Sequence, residues 1–150
     1  MTVSVRQATT QDTNALKLCI DRAYAPFKAA LPDLPEVSSG LEEDIQAHSV
    51  FVAETGGRIA GGAVLVLDGE TAVLFNVAVD PDHGEKGIGR RLIEACCAQA
   101  AQRGYSDISL ATHAAMPDNV ALYRHLGWLE YERSGNKVRM HKPLGGVRSA

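Results

Sequence analysis

The sequence predicts an α/β (α+β) fold: a mixed central sheet of about seven strands, mostly antiparallel with one parallel pair, flanked by about four helices. Three observations predict it. Apolar runs between Val50 and Val79 are separated by Gly56-Gly57 and Asp68-Gly69, dipeptides that close tight hairpins, so three successive strands run antiparallel. A helical pattern then separates Thr71–Val79 from an apolar run at Ile108–Ala111, and this strand–helix–strand unit is where a parallel crossover belongs. The full order reads β-α-α-β-β-β-α-β-α-β-β.

Each element has its own local reason. Val3–Ala8 alternates, with Val3 and Val5 on one face of a first strand. Thr10 is placed to cap a helix over Gln11–Ala25, where Ala15, Leu16, Cys19, Ile20 and Ala23 recur at helical spacing. Pro26, Pro32 and Pro35 interrupt the next segment, and Leu41–Ala47 forms a short second helix. Strands come next at Val50–Glu54, Ile59–Leu67 and Thr71–Val79, the last ended by Pro81. A helix over Gly87–Arg103 turns Ile88, Leu92, Ile93, Cys96 and Ala100 inward, and Gly104 stops it. Asn119–Leu126 is a short helix closed by Gly127. Trp128–Glu132 and Lys137–Lys142 are the last strands, turned at Ser134-Gly135-Asn136. One domain over residues 1–144, with a frayed tail at 145–150, suits a chain of 150 residues.

Composition excludes several classes. A net charge of −3 gives no general attraction to nucleic acid. No apolar run approaches the ~20 residues that span a bilayer, so no membrane segment is expected. The first residues lack a basic region followed by an apolar one, so a secretory leader is not expected either. Cys19, Cys96 and Cys97 are an odd set with two adjacent members, a poor disulfide framework. The histidines are scattered and no metal-binding spacing occurs. A reduced, metal-free, cytoplasmic protein is the expectation.

The most informative stretch runs from Val77 to Leu92. A strand, Val77-Ala78-Val79, leads through Gly84-Glu85-Lys86-Gly87 into a helix beginning Ile88-Gly89-Arg90. A helix start presents unpaired N–H groups and the positive end of the dipole, which together hold anions. Glycines let a ligand approach the main chain, and Lys86, Arg90 and Arg91 add positive charge. The P-loop pattern is absent, and the GxxGxG spacing reverses the dinucleotide fingerprint. A plain glycine-rich helix start is the bland alternative.

These residues resemble the GNAT family of N-acetyltransferases. Val79-Asp80-Pro81 supplies the valine and proline that the family carries at this strand end, and Gly87-Ile88-Gly89 matches its [Arg/Gln]-x-x-Gly-x-[Gly/Ala] pattern, with Gly84 in the place of the usual Arg or Gln and Glu85 in that of a small residue. Asn119-Val120-Ala121-Leu122-Tyr123, with Gly127-Trp128 after it, resembles the family's later motif in the expected order. The resemblance spans Val3 to Leu144. It implies a GNAT fold whose parallel pair splays apart, and acetyl-CoA as acyl donor. By resemblance, the main chain of Val77, Ala78 and Val79 pairs with the pantetheine arm. Gly84, Glu85, Lys86, Gly87, Ile88, Gly89 and Arg90 hold the pyrophosphate, and Asn119 bonds the pantetheine or its neighbouring loop. Glu85 puts a carboxylate near those phosphates unless it points away or pairs with Lys86.

The implied chemistry is direct attack of a neutral primary amine on the thioester. An N–H donor in the splay would stabilise the oxyanion, an effect worth ~3–4 kcal/mol in acyl transfer. Tyr123 would protonate the leaving thiolate, a transfer uphill by ~2 kcal/mol in model-compound terms. Its alternative is a core aromatic, and that of Asn119 a helix N-cap. Trp128 reads as core, and Cys96 and Cys97 as core and flank rather than as a nucleophile.

The base is the least legible part. By resemblance, relatives often carry a Glu on the strand Thr71–Val79, sometimes just before the residue matching Asn76; here that place is Phe75, which accepts no proton. His113 and Glu70 are the candidates, and transfer with no protein base is the third option. Tyr24, Phe27, Glu42, Glu43 and Asp44 fall where the family builds its acceptor pocket. They leave open a small molecule, a lysine or a protein N-terminus as the amine. A homodimer is compatible with the family. The competing reading is an acyl-CoA-binding module without turnover, and a longer acyl donor is a third idea.

Overall fold

The computed structural model describes residues 2–30, 40–83, 87–113 and 117–144. Seven strands form one sheet in the order β1-β2-β3-β4-β5-β7-β6. They are β1 (Val3–Gln7), β2 (Ser49–Thr55), β3 (Arg58–Asp68), β4 (Thr71–Val79), β5 (Asp107–His113), β6 (Leu129–Ser134) and β7 (Lys137–Pro143). The helices are α1 (Thr13–Ala30), α2 (Leu41–Ala47), α3 (Ile88–Gln102) and α4 (Pro117–His125). This is the expected mixed sheet with four helices.

The chain divides into two compact units, Met1–Leu65 with Asn76–Cys96, and Val66–Phe75 with Cys97–Ala150. In the first, β1 runs antiparallel to β2 from Val3↔Thr55 to Gln7↔Phe51, and β2 antiparallel to β3 from Ser49↔Leu65 to Thr55↔Arg58. Gly56 and Gly57 close that hairpin with φ of 60° and 78°, a region L side chains rarely adopt. Two adjacent glycines on β3 admit helices to both faces. A Cβ on Gly61 would lie 2.9 Å from Ile88 of α3, and one on Gly62 would collide with Leu16 of α1. Successive strand residues face opposite sides, so α3 and α1 close on opposite faces of β3. Leu16, Ile20, Val52, Leu65, Ile88, Leu92, Ile93 and Cys96 fill this core.

α1 differs from expectation at both ends. Thr10–Asp12 is a 3-10 turn, capped one residue earlier, at Thr9, whose N–H donates to the Asp12 carboxylate at 2.8 Å. The helix then continues past Pro26 to Ala30 rather than stopping at Ala25. An interior proline forfeits one backbone bond, a local cost that does not end this helix. Arg6 donates to Asp12 at 2.9 Å and to Glu54 at 3.1 Å, tying β1 to the start of α1 and to β2. This holds the Asp12 carboxyl down at about 2.

In the second unit β4 and β5 pair in parallel at Val73↔Ser109. β5 pairs antiparallel with β7 from Asp107↔Pro143 to His113↔Lys137, and β7 with β6. Gly104 ends α3 at φ 90°, where Tyr105 N–H returns to the Ala100 carbonyl. Gly127 ends α4 the same way at φ 97°, where Trp128 N–H returns to Tyr123. β6 begins at Leu129, one residue later than expected, because Trp128 belongs to that helix stop. Trp128, Ile108, Val138 and Met140 are the fully buried centre. The expected tail, Gly145 onward, lies outside the described residues.

Candidate active site

β4 carries a buried row, Ala72, Leu74, Asn76 and Ala78, alternating with Val73, Phe75, Val77 and Val79. Val77 and Val79 are half-buried and Ala78 is buried at the end that leaves the sheet. Side chains hold the turn beyond this strand end. Asp80 N–H donates to the Ala60 carbonyl at 2.8 Å, and the Asp80 carboxylate accepts from Asp82 N–H at 2.9 Å. Arg22 of α1 reaches Asp82 at 2.9 Å and Asp80 at 3.4 Å. The 3-10 turn Pro81–His83 is thereby pinned to β3 and to α1 before the glycine loop begins.

Gly84, Glu85 and Lys86 lie outside the described residues. Gly87 takes φ 70° and accepts the first bond of α3, from Arg91 N–H at 3.2 Å. Among the described residues a Cβ placed there meets nothing within 4 Å. The left-handed backbone, and not crowding by those residues, calls for the glycine. Ile88 is buried against the core while Gly89 is half-exposed. Arg90 is exposed and paired with Glu94 at 3.0 Å, and Arg91 is exposed. An anchored helix start with a left-handed glycine at its mouth is suited to an anion.

Tyr123 stands in the second unit, 8% exposed, edge-on to Trp128 with ring centroids 5.5 Å apart. Trp128 is core, as expected. Asn119 lies inside α4, the helix starting two residues earlier with Pro117 at its first position, so Asn119 is not the N-cap. His113 is the last residue of β5, which runs two residues past the expected Ala111, and stands opposite Lys137. The side chains of Asn119 and His113 lie outside the described residues. Glu70 is exposed in the β3–β4 turn, and Phe75 is 62% exposed. The stretch from Glu70 to Asn76 covers roughly 20 Å of extended strand.

Of the residues expected around the acceptor, Glu42 and Glu43 are exposed in the first turn of α2, where acidic groups suit the helix dipole. Burial pushes the Asp44 carboxyl up. The Phe27 side chain lies outside the described residues. Tyr24 is turned inward, and its hydroxyl donates to Asn76 Oδ1 at 2.9 Å. The sequence reading missed this pair. Its signal was an asparagine in an otherwise apolar buried row.

A cavity of about 440 Å³ beside this region is lined, among the described residues, by Asp12, Cys19, Arg22, Glu54, Asp80 and His83 with others, and by none of the described site residues that were predicted. Cys19 is buried and its thiol is raised to about 11, mainly by desolvation, so it stays protonated near neutral pH. Cys96 is buried and Cys97 half-buried, as expected for core and flank. Among the described residues no cluster of His, Cys, Asp or Glu is arranged to hold a metal ion. Among them also no helix is long and apolar enough to cross a membrane.

Residues 17–128 match the sequence profile of the acetyltransferase (GNAT) family. The chain belongs to this family. The match covers both the glycine loop and the Asn119–Trp128 motif. The [ribosomal protein bS18]-alanine N-acetyltransferase of Escherichia coli K12 is 35% identical over 80 residues, 53% of this chain and 54% of that protein. The chain thus spans about half the length of the first curated relatives it matches. In fold, this GNAT chain is similar to the PaiA N-acetyltransferase of Thermoplasma acidophilum, crystallised with coenzyme A. The TM-score is 0.86 at 16% identity, covering 95% of this chain and 99% of that one. The Escherichia coli ribosomal-protein-S18-alanine N-acetyltransferase gives a TM-score of 0.79 at 24% identity, covering 95% and 94%. At these identities the likeness is one of fold.

Proposed function

We propose that this chain is an acetyl-CoA-dependent N-acetyltransferase, a single domain over residues 1–144 that acetylates a primary amine by direct attack. The observation that carries the reading is the start of α3: Gly87 at φ 70°, reached from a strand end that side chains pin in place, inside the region matching the family. The main chain of Val77, Ala78 and Val79 would hold the pantetheine arm. Gly84 to Arg90 would hold the pyrophosphate, and Asn119 would bond the arm or its neighbouring loop. The amine nitrogen forms a bond to the thioester carbon, the carbon–sulfur bond breaks, the nitrogen loses a proton to a base, and Tyr123 gives one to the departing thiolate. His113 is the base we propose, and Glu70, exposed in its turn, is the second candidate. A peptide with an N-terminal alanine is the first acceptor to try, because the matched relatives are named for that activity. Lysine side chains and small amines come next, and a cytoplasmic setting and a homodimer belong to the same reading.

Calorimetric titration with acetyl-CoA, followed by a thiol-release assay over that amine panel, tests the proposal. Micromolar binding and amine-dependent thiol release are expected. Tyr123→Phe should lower turnover ~10-fold or more with little change in acetyl-CoA affinity, as loss of a proton donor does. Equal turnover in the two proteins removes that role. The exposed Phe75, standing where relatives sometimes carry a glutamate, favours a second reading: an acyl-CoA-binding module without turnover. Tight binding with no thiol release from any amine would select it.

A further inference from the structure

We propose that Tyr24 is a positioning residue that holds β4 at Asn76–Val77, the entry to the strand end assigned above to the pantetheine arm. The inference rests on the acetyl-transfer reading. Leu16, Ile20 and Tyr24 recur every four residues along α1, and Leu16 abuts β3 at Gly62. Tyr24 is the last of this stripe, and its hydroxyl meets the one polar side chain in the buried row of β4. It donates to Asn76 Oδ1 at 2.9 Å and lies 3.5 Å from the Val77 carbonyl oxygen. Asn76 is 7% exposed.

Packing does not ask for this pair. A phenyl ring would fill the space of the phenol, and a leucine most of that of the amide. Replacing both partners of a buried hydrogen bond by apolar groups of similar shape is nearly neutral, whereas removing one strands the other. The hydroxyl does supply a fixed point. It orients the Asn76 amide and stands against the next carbonyl, at the residue where pantetheine pairing would begin. Burial raises the phenol to about 12, so it remains a donor across ordinary assay pH and takes no proton from an amine. Its role is to position the strand and not to transfer protons.

The test compares wild type, Tyr24→Phe, Asn76→Leu and the double variant. Each is read by thermal melting, by amide exchange of residues 76–79 in the free protein, and by kcat and acetyl-CoA KM on the amine panel. The single variants are expected to melt lower and the double variant close to wild type. In all three, exchange at 76–79 should rise ~10-fold or more. In all three, kcat should fall ~10-fold or more with acetyl-CoA KM changed less than about three-fold. A merely structural pair predicts that the double variant recovers kcat together with its melting temperature, and that result overturns the proposal. Unchanged exchange at 76–79 overturns it too. If the wild type releases no thiol with any amine, the acetyl-transfer reading has failed, and the exchange data alone decide whether Tyr24 braces β4.

Discussion

Gly61→Ala is the sharpest probe of how the site is built. A Cβ at this position would sit 2.9 Å from the Ala78 carbonyl oxygen, 2.9 Å from Ile88 Cγ2 and 3.1 Å from Leu92 Cδ1. Comfortable contacts for a methyl group begin near ~3.4–3.8 Å, so the surroundings must give by roughly half an ångström or more. Leu92 can yield by a small torsion. The Ala78 oxygen is main chain in β4, and Ile88 is fully buried in the first turn of α3, so neither yields cheaply. Overpacking of this kind costs about 1–3 kcal/mol, against a gain of about 0.5–1 kcal/mol from replacing a strand glycine. The net expectation is a loss of about 1–2 kcal/mol. For a domain of this size that lowers the melting temperature by roughly 2–8 °C. Urea unfolding gives the same quantity as a drop in midpoint at constant slope. A variant as stable as wild type would refute the argument that α3 and β4 are closed against β3 without slack. The displaced atoms, Ala78 and Ile88, flank the proposed cofactor loop, so acetyl-CoA affinity should fall with stability.

Two further outcomes depend on single side chains. Asp12 titrates at about 2 in the folded chain against about 3.9 unfolded, so its pairing with Arg6 stabilises the fold above pH ~4 and is lost as pH falls towards 2. Arg6 is well exposed, which cuts the contribution to about 1 kcal/mol, and Arg6→Ala should flatten the acid limb of stability between pH 4 and 2; an unchanged limb contradicts the assignment. At Gly87 the φ of 70° tolerates Asn and Asp better than other side chains, so Gly87→Asn and Gly87→Asp share the backbone cost and differ in charge. The Asp variant should bind CoA at least ~10-fold more weakly than the Asn variant, and equal affinities by calorimetry would refute phosphate binding at this turn.

Most of the sheet was legible because its signals are local. The hairpins at Gly56-Gly57 and Asp68-Gly69 take positive φ at the glycines, and Gly104 and Gly127 stop their helices as their positions foretold. Boundaries were missed at prolines. Pro26 reads as a stop, yet α1 runs on to Ala30, and Pro117, a residue suited to the first helical position, opens α4 ahead of Asn119. The loop and the Asn119–Trp128 motif were legible through their resemblance to the family, whose profile matches residues 17–128. The inward turn of Tyr24 was not, because it depends on Asn76, 52 positions away along the chain. For the same reason the sequence could offer His113 and Glu70 only as candidates. Which carboxylate or imidazole meets a substrate is fixed by pairings that no window of sequence contains.

Gly61 and Gly62 connect the packing of the helices to the end of β4. Adjacent strand residues face opposite sides, so a consecutive glycine pair lets one helix approach each face of the same strand at the same height. α3 closes on one side through Ile88 and Leu92, and α1 on the other through Leu16. Each helix then acts on the end of β4: α1 through Tyr24 on Asn76 and through Arg22 on Asp80 and Asp82, α3 by starting where the loop after β4 ends. On the proposed function, the main chain at this strand end would pair with a ligand, and a further strand along the same edge would compete with it. Side chains and helix packing would then supply the stiffness instead. On this account the buried Asn76 and the paired glycines serve one requirement. On that proposal they would brace Asn76–Val79 for the pantetheine pairing.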